Sequence, residues 1–175
     1  MHTTSLKTPR TTQAAAPSKA EALTPNEGGN QAENAMQNLF GEAISVYTRA
    51  QAIEDGQLID VSATAREAGI VWPVAMTSAA WGDCVEWIEE TEKRKGYTGQ
   101  SESGRLWDVC WMLSLAVRGA VRRGLDASQQ PLFYSLHRTP TAGRGVMPRK
   151  VILKFMVGPD DEDRPCITLM LPGED

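Results

Sequence analysis

The chain has 175 residues, and its 18 Lys+Arg against 22 Asp+Glu give a formal net charge of −4 at pH 7. With 15 Gly, 10 Pro and 3 Cys, this acidic composition excludes collagen-like, coiled-coil and disulfide-scaffold proteins, and the length fits one domain with a tail. No run of about 18 apolar residues is present, so we expect no membrane-spanning segment. The three cysteines are widely spaced and form no Cys-x-x-Cys pair, which favours reduced thiols in a cytoplasmic protein.

The first part of the chain differs in composition from the rest. Residues 1–31 are rich in threonine, alanine, proline and glycine and carry few large apolar side chains. Such a segment buries too little surface to offset the entropy of ordering its backbone. We therefore expect a disordered tail over residues 1–31 and a single domain over residues 32–175. Within that domain, apolar residues at spacings of three and four over residues 33–47 predict one helix or two short ones.

Short capped helices are predicted next. Thr48 and Gln51 have the spacing of a capping box, and Gly56 stands where such a helix would end. Residues 58–61 predict a short strand or an extended linker. A second box over residues 64–67 predicts another short helix, which ends at a glycine.

Two longer helices follow. Thr77 or Ser78 is expected to cap a helix that runs to about Lys95, with one face formed by Trp81, Cys84, Val85 and Ile88. A second helix, from about Arg105 to Arg123, has a continuous apolar stripe formed by Leu106, Val109, Cys110, Leu113, Ala116, Val117 and Ala120.

The last third of the chain has the residue pattern of strands. Residues 132–136, 151–157 and 166–171 are apolar runs separated by segments rich in proline, glycine and aspartate. Because no crossover helix lies between them, we expect antiparallel pairing. The predicted fold is α+β, with N-terminal helices packed on a C-terminal three-stranded antiparallel sheet.

Metal and cofactor chemistry has little support in the sequence. The only histidines are His2 and His137, and no metal-ligand spacing of His and Cys is present. The acidic run at residues 160–163 lacks the ligand pattern of a calcium loop and predicts a solvated hairpin turn. We expect no metal and no cofactor.

Catalytic motifs are also missing, and we assign no catalytic residue. The chain has no Gly-x-Ser-x-Gly, no Gly-x-Gly-x-x-Gly after a strand and no P-loop. A carboxylate-based enzyme that uses Arg49, Glu54, Asp55 and Asp60 remains an alternative. In the other interpretation of this cluster, the carboxylates cap helices and pair with Arg49 and Arg66.

Candidate partner-binding residues come from aromatic and basic side chains. Trp107 and Trp111 are four residues apart on the predicted long helix, and tryptophan is favoured at interface hot spots. Between Arg105 and Lys154, nine basic residues stand against two acidic ones, which favours a charged partner. The candidate set is Trp107, Trp111, Arg118, Arg122, Arg123 and Arg144, the last in a glycine-flanked loop expected to stay mobile until bound.

Residues 39–61 read LFGEAISVYTRAQAIEDGQLIDV and resemble the opening of an uncharacterised bacterial family, a domain of unknown function. The resemblance continues through Pro73 and Val74, residues 105–109, and residues 158–161 with the strand after them. It implies a protein encoded largely on plasmids, phages and other mobile elements, and it carries no catalytic residues.

That setting suggests a function that a fold alone would not. We expect a non-enzymatic inhibitor of host defence, anti-CRISPR or anti-restriction, that binds a host protein or ribonucleoprotein complex stoichiometrically in the bacterial cytoplasm. Contacts to nucleic-acid phosphates are part of this expectation. The alternatives are the small enzyme above and a plasmid maintenance factor that contacts nucleic acid. The oligomeric state stays open.

Overall fold

The computed structural model describes residues 47–174. The predicted tail over residues 1–31 lies outside the described part of the chain, and so does all but the last residue of the helical stretch expected over residues 33–47. Within the described part, no helix is both long enough and apolar enough to cross a bilayer.

Helices and strands alternate at the start of this region, three successive helices follow, and three strands end it. In chain order they are α1 (Arg49–Glu54), β1 (Leu58–Asp60), α2 (Ser62–Glu67), β2 (Val74–Thr77), α3 (Ser78–Cys84), α4 (Glu89–Lys95), α5 (Glu102–Arg122), β3 (Leu132–Arg138), β4 (Arg149–Pro159) and β5 (Pro165–Met170).

The expectation of a three-stranded antiparallel sheet was wrong, although the α+β class is correct. The sheet has five strands in the order β1-β2-β5-β4-β3. The predicted strands β3, β4 and β5 do pair antiparallel, but β2 adds to β5 in parallel, with Val74 opposite Ile167. The crossover argument holds for those three strands, but it did not consider that β1 and β2 join the sheet. The whole chain between β2 and β5, helices included, makes the parallel connection.

The core lies between one face of this sheet and the helices α2, α3 and α5. Its fully buried large side chains include Met76 on β2, Leu113 on α5, and Phe155 and Leu169 on the two central C-terminal strands. The helices therefore pack on strands from both halves of the chain, so the arrangement is not an N-terminal helical layer on a C-terminal sheet.

Helix α1 contacts the other face of the sheet. The Arg49 guanidinium donates to Thr168 Oγ1 at 2.8 Å and to the Ile167 carbonyl at 3.0 Å. Its capping box is confirmed, because Thr48 and Gln51 cap each other's backbone N–H groups, and the helix ends before Gly56 at φ +71°. Only glycine adopts such an angle without strain.

Helix α2 starts three residues earlier than the capping box predicts, because Val61 and not Thr64 is its N-cap residue. It begins at Ser62, whose backbone N–H donates to Asp60 Oδ1 at 3.0 Å. Asp60 therefore does the work assigned to Thr64, because a carboxylate two residues upstream reaches the first free N–H group. The predicted end is correct, since Gly69 has φ +90°.

The single helix predicted up to Lys95 is two helices. Thr77 caps α3 as expected, with its hydroxyl accepting from the Ala80 N–H at 3.2 Å. The chain then leaves the helical path because Arg105 Nε takes the Val85 carbonyl at 3.1 Å, which the next turn of a continuous helix would need. Ile88, expected on the apolar face, is exposed and precedes α4.

Helix α5 agrees most closely with its prediction. It starts three residues earlier than expected, with the Ser101 hydroxyl accepting from the Gly104 N–H at 3.1 Å. Its predicted apolar stripe faces the core, with Val109, Cys110 and Leu113 fully buried.

Candidate functional site

The solvent face of α5 carries four of the six candidate partner-binding residues. At about 100° per residue, positions 107, 111, 115, 118 and 122 fall within one narrow sector opposite the core. All five side chains are exposed, and we call them the α5 stripe: Trp107, Trp111, Leu115, Arg118 and Arg122. The stripe runs for about 22 Å along the helix.

The aromatic half of the α5 stripe is ordered by its own contacts. The rings of Trp107 and Trp111 stack with centroids 6.1 Å apart and planes 17° from parallel, and the Arg118 guanidinium carbon lies 5.9 Å from the Trp111 ring centre. Yet the two tryptophans remain 39% and 42% exposed. The result is a pre-arranged aromatic and cationic surface of the kind that interfaces favour.

The other two candidate residues lie apart from the stripe. Arg123 follows the last turn of α5 and folds back, with its Nε donating to the Gly119 carbonyl at 3.0 Å. Arg144 lies in the loop between β3 and β4. The six candidate residues therefore do not lie on one surface.

The β3–β4 loop, which is expected to stay mobile around Arg144 until bound, accepts hydrogen bonds from two side chains of α4. The buried Lys95 ammonium donates to the carbonyls of Ala142, Gly143 and Gly145 at 3.3, 3.1 and 2.8 Å. Arg94 adds a bond to the Thr141 carbonyl at 2.8 Å. Two cations of α4 thus hold consecutive carbonyls of the loop, which accounts for the burial of a lysine.

The basic block between Arg105 and Lys154 does not form one patch. Arg105 and Lys154 are buried, and Arg138 pairs with Asp83. Arg105 and Arg122 are separated by about 25 Å along α5. These basic residues therefore do not form a continuous phosphate-binding surface.

An apolar groove that sequence reasoning missed lies beside the stripe. Two adjoining cavities of about 230 and 150 Å³ share Trp72, Val117, Val121 and Ile167. Val121 and Trp72 leave much of their surface exposed, and Arg118 borders the groove. The available signals were the Val71-Trp72-Pro73 run and Val121, which lies off the apolar phase of α5.

The structure brings only part of the carboxylate cluster together. Arg49 and Asp60 line a polar cavity of about 390 Å³, and Glu54 and Asp55 do not. Asp55 instead accepts from the Tyr47 hydroxyl at 3.0 Å. The expected pairing of Arg49 with Glu54 and Asp55 is replaced by its bonds to β5.

Two other carboxylates of that cavity, Asp160 and Asp161, accept hydrogen bonds from backbone N–H groups. Asp161 accepts from the N–H groups of Arg49 and Ala50 at 2.7 and 2.8 Å. Asp160 accepts from the N–H groups of Glu162 and Arg164, both at 2.9 Å, and hydrogen bonds from Arg164 lead the effects that lower its pKa. Asp160 therefore holds the turn predicted for residues 160–163, and Asp161 binds the first N–H groups of α1.

The cysteines behave as small apolar side chains. Cys84, Cys110 and Cys166 are free and buried, and burial raises the pKa of Cys84 to about 11 and that of Cys110 to about 12. A thiol with such a pKa is a poor nucleophile at neutral pH. Over residues 47–174, no three His, Cys, Asp or Glu side chains lie together in a metal-binding arrangement.

Comparison with known proteins gives one match. Residues 36–175, most of the chain, match a family described as a family of unknown function (DUF6573). Neither the curated proteins nor the solved structures contain a match to this chain.

Proposed function

This chain belongs to the family of unknown function DUF6573, and we propose that it is a non-enzymatic binding protein. It engages a partner protein through the α5 stripe. The observation that carries the proposal is the stacked and exposed pair Trp107 and Trp111, extended by Arg118 over the second ring.

The energetics of burying this surface favour a protein partner. Tryptophan and arginine carry a large share of the free energy in interfaces. Because the two rings and the guanidinium already contact one another, docking would lose less side-chain entropy than it would with free rotamers. The apolar groove beside Trp72 and Val121 offers further apolar area next to the same face.

The charge of the stripe favours an acidic partner surface. Arg118 and Arg122 lie on the stripe, and Arg123 follows at the helix end. A guanidinium binds carboxylates with two parallel hydrogen bonds, a geometry that lysine cannot copy. The same groups would also donate hydrogen bonds to phosphate oxygens, so a ribonucleoprotein partner is compatible with them.

For the biological role we propose stoichiometric inhibition of host defence, anti-CRISPR or anti-restriction, inside a bacterial cell. This part of the proposal rests on the mobile-element setting that the sequence resemblance implies. Binding to a defence complex requires an ordered surface and no active site, which is compatible with the structural contacts of Asp55, Asp160 and Asp161 and with the buried thiols.

The test measures protection of a phage or plasmid from an active CRISPR or restriction system. The double substitution Trp107→Ala with Trp111→Ala should abolish protection and weaken binding to the co-purified target about tenfold or more, the loss typical of a hot spot. Arg122→Glu should weaken binding to the target as well. The matched control is Tyr97→Ala, which removes an exposed aromatic ring from a different surface.

Circular dichroism must first show that each variant is folded. Full protection by the folded tryptophan variant would overturn the proposal. Loss of all protection in a folded variant with Glu54→Gln and Asp55→Asn would replace it with the enzyme alternative. Salt-sensitive retention on DNA that the stripe variants do not change would favour the plasmid maintenance factor.

A further inference from the structure

A small cavity of about 100 Å³ lies between the start of α5 and the end of β3. Its walls include the two arginines at those positions, and its mouth is formed by exposed residues. We call it the Arg105 cavity; it is lined by Cys84, Gln100, Arg105, Asp108, Leu136, His137, Arg138, Thr139 and Pro148. It is distinct from the α5 stripe.

Arg105 is held rigidly at this cavity. The residue is only 4% exposed, and its guanidinium carbon lies 4.8 Å from the centre of the Trp87 ring. Its Nε donates to the Val85 carbonyl at 3.1 Å and its Nη1 to the Thr139 carbonyl at 3.0 Å. These contacts fix the plane of the guanidinium, but none of them involves its Nη2 group.

Two buried donors at the cavity have no partner. Within residues 47–174, Arg105 Nη2 and Arg138 Nε are the buried side-chain nitrogens without a hydrogen-bond acceptor. The remaining end of Arg138 pairs with Asp83. Buried N–H groups are almost always satisfied, because an unsatisfied one loses its hydration without compensation. Two such groups on arginines that line one cavity indicate an acceptor shared between them.

The charge balance indicates that the acceptor is an anion. Asp83 neutralises Arg138, whereas no carboxylate of the described chain lies within ion-pair distance of Arg105. Asp108 lines the cavity but is exposed and makes no such pair. Asp83 and Asp108 attract the Arg105 charge only from beyond ion-pair distance, so Arg105 is a buried charge without a direct partner, which is costly.

The acid–base behaviour of Arg105 has the same origin. Burial, followed by repulsion from the Arg138 charge, lowers the pKa of the Arg105 guanidinium. The neighbouring Lys95 also has a lowered pKa, through burial first and then the charges of Arg94, Arg105 and Arg149. Arg105 thus lies near two other cations, Lys95 and Arg138, while Asp83 and Asp108 act on it in the opposite direction.

We propose that the Arg105 cavity binds a single carboxylate group, whose two oxygens accept hydrogen bonds from Arg105 Nη2 and Arg138 Nε. A carboxylate supplies the direct counter-charge that Arg105 lacks, and its planar pair of oxygens matches two guanidinium N–H donors. The group comes either from a small free acid or from an Asp or Glu side chain of a partner. Gln100 and His137 stand at the entrance.

The first experiment uses the intact protein. Sodium acetate is titrated at constant ionic strength, with sodium chloride as the compensating salt, while the side-chain ¹⁵N–¹H resonances of the arginines are followed by NMR. We expect saturable shifts of Arg105 and Arg138, while the exposed Arg122 does not shift. Shifts that do not saturate, or that chloride alone produces equally, would overturn the proposal.

Variants test which groups bind the carboxylate. Arg105→Lys should weaken the apparent affinity for acetate about tenfold or more, because the ammonium cannot supply the Nη2 donor. Cys84→Asp places a carboxylate beside both arginines, so it should abolish the acetate response, and Cys84→Ser is its matched control that retains the response. An acetate response unchanged in folded Cys84→Asp would overturn the proposal, and the NMR titration decides if that variant does not fold.

Two further ligands define the chemistry and its source. Phosphate that binds more tightly than acetate would overturn the assignment of a carboxylate. N-acetyl-glutamate N-methylamide carries one carboxylate on a protein-like side chain. Its saturable binding at the same resonances would assign the site to a partner's acidic side chain, and binding of acetate alone would assign it to a small free acid.

Discussion

Glu92 shows how one side chain joins separate segments of this protein. Its Oε2 accepts from Trp87 Nε1 at 2.7 Å and from the Thr98 hydroxyl at 2.8 Å, and its Oε1 accepts from the Gly99 N–H at 2.6 Å. These bonds connect the segment before α4 with the turn after it. Through Trp87, which stacks on Arg105, the same carboxylate supports the wall of the Arg105 cavity.

This arrangement predicts a dependence of stability on pH. Desolvation raises the pKa of Glu92, but the hydrogen bonds from Gly99, Thr98 and Trp87 outweigh it and hold the pKa below its ordinary value of 4.5. A carboxyl with a lowered pKa in the folded state stabilises fully above its unfolded value and loses that contribution as pH falls through the folded value. Glu92→Gln should therefore lower the melting temperature at neutral pH. The difference in melting temperature between the variant and the parent protein should become smaller below about pH 4.5.

Thermal melts of both proteins between neutral pH and about pH 3 measure this effect. The control is Glu90→Gln, which changes an exposed carboxylate of the same helix and should leave the melting temperature nearly unchanged. An equal difference from the parent at all pH values would show that Glu92 acts through packing alone.

Among the elements, α5 contributes to both the core and the surface. One side of this helix packs on α2, α3 and β3, and the opposite side presents the α5 stripe. Its length matters for both roles, since 21 residues extend about 31 Å. The rigidity of the proposed binding surface therefore depends on the core contacts on the far side of the same helix.

Leu113→Ala tests the core side of α5. Leu113 is fully buried, so the substitution should cost about 2–5 kcal/mol of unfolding free energy through lost burial and a residual cavity. Leu115→Ala, two residues away on the stripe and 43% exposed, should cost about 0.5 kcal/mol or less. Denaturant unfolding measures both, and similar costs for the two variants would contradict the assigned orientation of α5.

For the whole molecule, the decisive feature is that both ends of the described chain meet at the sheet. The β2 strand pairs with β5, and Arg49 on α1 contacts Thr168 on β5 and, through its N–H, the Asp161 carboxylate. The early and late segments therefore stabilise each other, and the domain is not separable into a helical half and a sheet half.

The family match gives a prediction about the tail. Because the match begins at residue 36, deletion of residues 1–31 should change the melting temperature by about two degrees or less. Deletion of residues 1–56, which also removes α1 and its bonds to β5, should destabilise the protein clearly. A large loss from the shorter deletion would show that the tail packs on the domain. Binding of a partner is measured separately.

Local signals in the sequence determined the capping box at Thr48, the helix ends at Gly56 and Gly69, the apolar face of α5 and the three C-terminal strands. Each of these depends on contacts between residues close in the chain or on the periodicity of a single element, so the sequence carries the information directly. The turn at residues 160–163 belongs to the same group, because its acids satisfy nearby N–H groups.

Only the tertiary structure decided the features that depend on distant partners. The parallel pairing of β2 with β5 joins strands far apart in the chain, and no local pattern encodes such a partner. The helix predicted up to Lys95 breaks because Arg105, from a later element, takes the Val85 carbonyl. Arg105 and Arg138 counted as surface charges in the sequence, and the fold placed both at one cavity, with Arg105 buried and Arg138 partly buried. Burial follows from the packing of whole elements, which composition and spacing do not contain.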